Sequence, residues 1–391
     1  MNAIIRSLRL LKIEAVLTAT LLSMPVMVPF YNSIGMDQGQ IGLSQAIFTA
    51  ALLLINIPTG WLADRFSRKF CNAFGDLGAA LALIYYCQAT SFTEVIIAEI
   101  VLGISMAFSQ GADSALLHAY TGKLDPSGRM LRKQTALLAT WQPIAQAVAL
   151  IAGGFIGGFD PRLAIAVSAA PYFIGSILSF FMKEVGDRLV SQHRNPLRDI
   201  VRVTHESIGP DPYLRWLIIA YAIGREITHV LIWALTPLLL LAGIPLAVVG
   251  VGWVFNSLMV AVGAGLAHRW SEPLRHWQRF AIPMITVITG LTVMSIHLSF
   301  ATIWFYALVG LAQGWTSATL LPMIQGRAPA SNQASIVSVS RSVSQLIYIP
   351  LVWLVAFVGN IDIRLTMVAT IVIFTPMIIV VIQRLITLEK K

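Results

Sequence analysis

The stretch Gly60-Trp61-Leu62-Ala63-Asp64-Arg65-Phe66-Ser67-Arg68-Lys69 decides how the chain folds, because it places four charges within six residues between two apolar runs. The run before it, residues 41–63, is 23 residues long and has no charged side chain. A helix rises about 1.5 Å per residue, so this run can cross a hydrocarbon core of about 30 Å. We therefore interpret residues 64–69 as a short basic turn between two membrane helices.

The composition extends this interpretation to the whole chain. Of the 391 residues, 57% are hydrophobic and 12% are charged, whereas soluble domains carry about 25% charged residues. The net charge of +9 does not indicate a nucleic-acid partner, because the basic residues lie in short segments between apolar runs. The composition thus predicts a polytopic protein whose surroundings are a lipid bilayer.

The opening stretch resembles the G-x-L-A-D-R-x-G-R-[RK] signature of the major facilitator superfamily (MFS), found between the second and third transmembrane helices of those transporters. One position departs, since Ser67 stands where the family usually has glycine, and serine resists a positive φ. The resemblance implies an all-α membrane protein with twelve transmembrane helices in two pseudo-symmetric six-helix bundles. It also implies a gate on the cytoplasmic side, in which Asp113 pairs with Arg68. The gating residues are then Gly60, Asp64, Arg65, Arg68, Lys69 and Asp113.

Twelve apolar runs fit this architecture, and the basic residues are distributed as it requires. Of the 27 Lys and Arg, 23 fall in segments that the arrangement assigns to the cytoplasm. This asymmetry predicts cytoplasmic termini in a bacterial inner (plasma) membrane. The predicted spans are 13–34, 41–63, 70–90, 93–119, 134–158, 163–182, 214–242, 246–267, 280–299, 302–325, 333–358 and 365–384.

An internal repeat divides the chain. Gly35 and Gly42 recur as Gly243 and Gly250 at the same spacing, and Trp61-Leu62-Ala63-Asp64-Arg65-Phe66 is echoed by Gly265-Leu266-Ala267-His268-Arg269-Trp270. The repeat fits two parallel halves, residues 1–182 and 213–391, with a linker at 183–212. Apolar residues at helical spacing in the linker favour an amphipathic helix on the cytoplasmic face, and a flexible tether fits equally well.

Ionisable residues inside predicted spans are the strongest site candidates, because each is costly in a membrane. Arg225 lies near the middle of the seventh span, His229 follows on the same face, and Glu226 lies about 100° around the helix. Arg341 lies slightly to the cytoplasmic side of the centre of the eleventh span. These four residues indicate substrate or proton binding, and internal salt bridges that lock the bundle are the alternative.

Other polar residues in the spans leave two interpretations open. Asp76 and Glu99 lie near the ends of their spans, where they either snorkel or take part in function. Pro25 and Pro29 are expected to bend the first span. Gly153, Gly154, Gly157 and Gly158 favour close helix packing. The neutral residues that would line a cavity or join helices by hydrogen bonds are Asn56, Gln142, Gln146, Asn256, Gln313, Gln345 and Tyr348.

Several other functions are excluded or unsupported by the sequence. No phosphate-binding loop, zinc-protease motif or nucleophile elbow occurs, so we predict neither an enzyme nor a cofactor or metal site. Cys71 and Cys87 are 16 residues apart on one helix and cannot pair within it. Two MFS patterns are also missing: Ala107 replaces the arginine of R-x-x-Q-G in the fourth span, and the antiporter pattern G-P-x-x-G-G is absent from the fifth.

The charges lead to two substrate hypotheses for a monomeric, proton-coupled carrier. Two buried arginines with His229 favour an anionic, carboxylate-rich metabolite such as a siderophore, and we expect export. Multidrug efflux of amphiphilic cations by proton antiport is the alternative, because the chain resembles drug:proton antiporters along its length and has acids that could bind a cation. Import of a small metabolite or siderophore is a further alternative, since importers share the loop signature.

The predicted topology can be tested with reporter fusions. A reporter active only outside the cytoplasm should give a signal when it is fused after Asp37 and none when it is fused after Ser67, because the basic loop is retained inside. The reverse pattern would contradict the assignment of sides.

Overall fold

The computed structural model describes residues 2–65, 67–185, 211–327 and 333–390, with side chains described except at 57–65 and 333–335. Within these ranges all regular structure is helical, which confirms the predicted all-α fold. Ten of the described helices are long and apolar enough to cross a membrane. The count of twelve spans stays a prediction, and the proposed linker helix falls outside the described residues.

The chain forms two compact units. Unit 1 comprises Met1–Met36, Ile47–Pro196 and Leu246–Val251, and unit 2 comprises Asp37–Ala46, Leu197–Pro245 and Gly252–Lys391. The helices up to residue 185 are α1 Asn2–Thr18, α2 Met27–Ser33, α3 Gln38–Arg65, α4 Arg68–Tyr86, α5 Phe92–Leu124, α6 Arg129–Phe159 and α7 Pro161–Phe180. The later helices are α8 Pro212–His229, α9 Ile232–Leu241, α10 Val249–Trp270, α11 His276–Ile296, α12 Ala307–Arg327, α13 Gln333–Val358 and α14 Leu365–Glu389.

Short polar residues set where the helices begin. Asp160 and Asp211 each precede a proline and accept hydrogen bonds from backbone N–H groups of the first turn of α7 and α8, as N-caps do. Asp211 also accepts a hydrogen bond of 2.8 Å from Arg327 Nε. Partial burial raises the pKa of the Asp211 carboxyl, but the bonds from Arg327 and the backbone outweigh it and hold this pKa below its usual value.

Two helices break inside predicted spans. The first span ends as α-helix at Thr18 and resumes at Met24, while the seventh breaks between His229 and Ile232. Pro25 occupies the first turn of the resumed segment, where a proline is tolerated. The predicted bend is therefore a break that precedes both prolines.

The internal repeat is confirmed at its glycines. Gly35 and Gly243 follow the first span of each half and have φ of 81° and 89°, a region that side chains with a Cβ rarely adopt. A Cβ on Gly42 would lie 2.8 Å from the carbonyl oxygen of Val352, and one on Gly250 would lie 2.0 Å from that of Leu150. The four glycines thus do the same work in both halves.

The glycines of α6 pack against neighbouring backbone, as their spacing predicts. A Cβ on Gly153 would lie 1.8 Å from Leu22 O, and one on Gly157 would lie 2.2 Å from Val26 Cγ1. Gly154 and Gly158 approach the backbone of residues 247–250 in the same way. The contacts of Gly153 and Gly157 hold the broken first span against α6, and those of Gly154 and Gly158 hold residues 247–250 against the same helix.

The apolar residues on the outside complete the picture of a membrane protein. Trp141, Val148 and Phe155 recur every seven residues along α6 and are all exposed. A stripe of large exposed hydrophobic side chains on one helix is stable in lipid and unfavourable in water.

Removing one glycine contact tests this packing. Gly153→Ala should lower the free energy of unfolding by about 1–3 kcal/mol, because the added methyl group meets backbone that cannot move aside. The measurement is the apparent melting temperature of the purified protein in detergent.

The matched control is Gly111→Ala in α5, where a Cβ would meet nothing within 4 Å. That variant should melt at the same temperature or higher, because alanine favours helix over glycine by about 1 kcal/mol. Equal melting of the two variants would contradict the close approach at Gly153.

Candidate functional site

A cluster of ionisable residues lies at the end of α8, immediately before its break. Arg225 Nη1 lies 2.9 Å from Glu226 Oε1, and His229 Nδ1 lies 3.4 Å from Glu226 Oε2. Arg225 and Glu226 are neighbours in sequence, yet their long side chains curl towards each other. The separation of about 100° around the helix therefore does not prevent contact between the two side chains.

Burial differs sharply within this cluster. The side chain of Glu226 is 1% exposed, whereas those of Arg225 and His229 are 27% and 31% exposed. Glu226 Oε2 accepts no hydrogen bond from the described residues. The cluster is thus a buried carboxylate held under two partly open basic groups, and Arg225 retains donors for a further acceptor.

Helix α13 contributes the opposite wall within unit 2. The rings of His229 and Tyr348 meet edge to face at 5.8 Å between centroids, and Trp233 Nε1 donates to Tyr348 Oη at 3.0 Å. Arg341 is exposed and precedes Tyr348 by seven residues, which places it on the same face about 10 Å away along the axis. The structure therefore brings Arg225, His229 and Tyr348 together and puts Arg341 on the same stripe.

The neutral polar residues of the predicted spans differ in their contacts. Gln142 Nε2 donates to Ala15 O at 3.0 Å, and Gln146 both accepts from Leu21 N at 3.0 Å and donates to Leu21 O at 3.4 Å. These two side chains join α6 to the first span, as the second interpretation expects. Asn256 Oδ1 is buried with no hydrogen-bond partner among the described residues, and a Cβ on Gly310 would lie 2.8 Å from it.

The last residues of the basic turn form the start of α4. Ser67 is the N-cap, with an extended φ of −174°, and accepts a hydrogen bond from Phe70 N. The turn therefore needs no positive φ at this position, because Ser67 caps α4 from extended backbone. The structure describes Gly60, Asp64 and Arg65 only by their backbone.

Glu184 completes the start of α4 from beyond α7. Its carboxylate accepts hydrogen bonds from Ser67 Oγ and from the backbone N–H groups of Arg68 and Lys69. Lys69 Nζ donates in turn to the carbonyl oxygens of Phe180 and Met182 at 3.3 and 3.2 Å. The negative Glu184 thus lies at the N-terminus of α4, and the positive Lys69 lies at the C-terminus of α7, where each charge is favoured by the helix dipole. Sequence reasoning missed Glu184.

Asp76 and Glu99, for which snorkelling was one of two interpretations, are buried. Glu99 Oε1 accepts hydrogen bonds from Tyr31 and Tyr86 at 3.1 and 2.9 Å. Asp76 is 1% exposed and faces Asp113 and Glu14. Their side chains are too short to reach the span ends, so they lie among protein groups. Glu14 was missed because it falls beside the charged N-terminus, although Leu11, Ala15 and Thr18 mark it as part of a packed helix face.

The predicted absence of a metal site stays a prediction. Among the described residues, no three His, Cys, Asp or Glu side chains are arranged to hold a metal ion. Cys71 and Cys87 are free thiols.

Comparison with known proteins adds sequence relatives. A profile of the Major Facilitator Superfamily matches residues 15–352. The chain is 24% identical over 161 residues to the uncharacterized MFS-type transporter YitZ of Bacillus subtilis (strain 168), covering 41% of this chain and 95% of that protein. It is 25% identical over 192 residues to Multidrug resistance protein 2 of the same organism, covering 47% of this chain and 47% of that protein.

Solved structures share the fold at low identity. A bacterial homologue of the human lysosomal transporter Spinster matches with a TM-score of 0.77 at 14% identity, over 99% of this chain and 97% of that one. The nucleoside transporter NupG matches with a TM-score of 0.77 at 12% identity, over 100% of both chains. The D-xylose-proton symporter matches with a TM-score of 0.71 at 11% identity, over 95% and 96%.

The bond between Trp233 and Tyr348 gives a test of the site's geometry. Trp233→Phe and Tyr348→Phe should be coupled by about 0.5–1.5 kcal/mol in a double-mutant cycle, because either change removes the same hydrogen bond. The measurement is unfolding of the four purified proteins in detergent.

Trp315→Phe supplies the control, since Trp315 Nε1 donates elsewhere, to Arg279 O. Its effect should add to that of Tyr348→Phe within about 0.5 kcal/mol. Additivity in the Trp233 cycle as well would show that α9 and α13 are not joined in this way.

Proposed function

The chain belongs to the Major Facilitator Superfamily, and we propose that it exports a small anionic, carboxylate-rich solute by proton-coupled alternating access. The observation that carries the proposal is the partly open Arg225 over the buried Glu226, opposite a helix face that bears Arg341. Arginine binds carboxylates through paired, charge-assisted hydrogen bonds, so two arginines suit a ligand with more than one carboxylate. A polycarboxylate siderophore has this chemistry.

The charge balance of the site supports an anion that competes with Glu226. Arg225 and Glu226 compensate each other, and a carboxylate ligand can replace Glu226 as the partner of Arg225. Glu226 then keeps His229, 3.4 Å away, which pairs with it when protonated. The ligand thus exchanges one ion pair for another and avoids the cost of an unpaired buried charge.

Efflux of amphiphilic cations is a second candidate. Similarity to Multidrug resistance protein 2 favours it, and the buried carboxyl group of Glu226 is the chemical group that a cation would require. In this case Arg225 repels the ligand. The two candidates therefore predict opposite effects of the same substitutions.

We also propose that the turn between α3 and α4 is the gate, with Gly60, Asp64, Arg65, Arg68, Lys69 and Asp113 as its residues. The contacts of Lys69 and Glu184 support this proposal, because they tie the start of α4 to the end of α7. The proposal includes a monomer in the bacterial plasma (inner) membrane with both termini in the cytoplasm, which the distribution of basic residues supports.

Binding of two probes to purified protein distinguishes the candidates. If the ligand is an anion, Arg225→Gln and Arg341→Gln should each weaken citrate binding by one to two decades, since a charge-assisted hydrogen bond contributes about 1.5–3 kcal/mol. Glu226→Gln should bind citrate as well as the unmodified protein or better, because it removes the competing carboxylate.

Arg364→Gln is the matched control, since Arg364 is an exposed arginine in the same unit, outside the site. It should leave citrate binding unchanged. Loss of tetraphenylphosphonium binding in Glu226→Gln, with unchanged or tighter binding in both site arginine variants, would establish the cationic alternative instead.

A further inference from the structure

Three carboxyl groups and one amide from three helices meet inside unit 1, and one of them, Asp113, is also among the gate residues proposed above. They are Glu14 on α1, Asn72 and Asp76 on α4, and Asp113 on α5. Glu14 and Asn72 are fully buried, and Asp76 is 1% exposed. Glu14 faces Asp76, Asp113 and Asn72, so the four polar groups form one cluster.

Most polar atoms of this cluster lack a hydrogen-bond partner among the described residues. Asn72 Nδ2 donates to Ser179 Oγ at 3.0 Å, and Glu14 Oε1 accepts from Thr18 Oγ1 at 3.4 Å. Five oxygen atoms accept no hydrogen bond from the described residues: Asp76 Oδ1 and Oδ2, Glu14 Oε2, Asp113 Oδ1 and Asn72 Oδ1. A native interior rarely leaves so many buried acceptors unsatisfied. Protons bound to the carboxyl groups would supply donors for these acceptors.

Gly175 of α7 gives these side chains their space. A Cβ there would lie 2.9 Å from Asp76 Oδ2, 2.9 Å from Thr18 Cγ2 and 3.4 Å from Glu14 Cγ. The same small residue therefore adjoins both carboxyl side chains, and it confines them to one pocket between α1, α4 and α7.

The groups that face the carboxyls are acidic or neutral on every packed helix. Their interacting neighbours are each other, Asn72, and Tyr172 on α7, with no Lys, Arg or His among those that the described residues provide. Glu14 also lies one turn before the end of α1, where the helix dipole disfavours negative charge. Three ionised carboxylates in this place would repel one another without compensation.

Protons resolve this conflict. Glu14 and Asp76 both adjoin Gly175, and an ionised carboxylate can only accept a hydrogen bond, so a bond between them requires a proton on one of them. The described oxygens do not form a shell for a metal ion.

We propose that the carboxyl cluster of Glu14, Asp76 and Asp113 is a proton-binding site of unit 1. Its use, driving transport, rests on the function proposed above. Loss of a proton creates an uncompensated charge at Glu14, four residues before Thr18, where α1 ends and its break begins. Proton release therefore favours movement of the broken first span, and protonation favours the packed arrangement seen here.

The test reads the protons directly, without any transported ligand. The infrared band of protonated carboxyl groups is followed in the intact purified protein as the pH is raised from mildly acidic to mildly alkaline. We expect a band that disappears over this range, and we expect both Glu14→Gln and Asp76→Asn to reduce it.

Glu99→Gln is the matched control, because Glu99 is a buried carboxyl of the same unit that accepts hydrogen bonds from two tyrosines and lies outside the cluster. It should leave the band unchanged. Absence of the band from the unmodified protein, or its persistence in both cluster variants, would overturn the proposal. Loss of the band when sodium replaces choline at constant pH would overturn it too, because the cluster would then be a sodium site.

Use of these protons is tested separately. Binding of citrate or tetraphenylphosphonium in weakly buffered solution should change the pH with the unmodified protein and not with Glu14→Gln. A proton change retained in Glu14→Gln would overturn the coupling role. If neither probe binds, the proposed function fails, while the infrared result still decides the proton site.

Discussion

The absence of water in a bilayer is the constraint on which this structure depends, because every backbone polar group must find a partner within the protein. The breaks in the first and seventh spans satisfy it with side chains. Gln146 bonds both backbone groups of Leu21, Ser168 accepts from Ser23 N, and Tyr306 donates to Leu231 O at 2.9 Å. Side-chain hydrogen bonds therefore stabilise both breaks. Each break lies within a few residues of buried ionisable groups.

The two sets of buried charges obey different rules. In unit 2 Arg225 lies 2.9 Å from the carboxylate of Glu226, so each charge has an opposite charge beside it, and the proposed ligand can take the place of one partner. In unit 1 the described groups beside Glu14 and Asp76 are other acids and neutral side chains, which is why we propose that protons neutralise them. The proposals thus assign ligand binding to compensated charge and proton binding to uncompensated charge.

Sequence reasoning succeeded where a local pattern decides the structure. The basic turn, the repeated glycines and the glycines of α6 needed only spacing, because backbone conformation and close packing exclude larger residues there. It failed where long-range contacts decide. Glu184 lies 116 residues after Arg68, at the start of the helix that it caps, and Glu14 becomes unusual only when α4 and α5 bring other acids beside it.

The cap at the start of α4 constrains how the protein is made. The carboxylate that binds Arg68 N is 116 positions later in the chain, and Lys69 waits for the end of α7 in the same way. During synthesis from the N-terminus, these groups remain without their partners until three further helices, α5, α6 and α7, have left the ribosome. The first unit therefore reaches its final packing late and as a whole. The insertion machinery must insert α4 before the partners of its charged end have been synthesised.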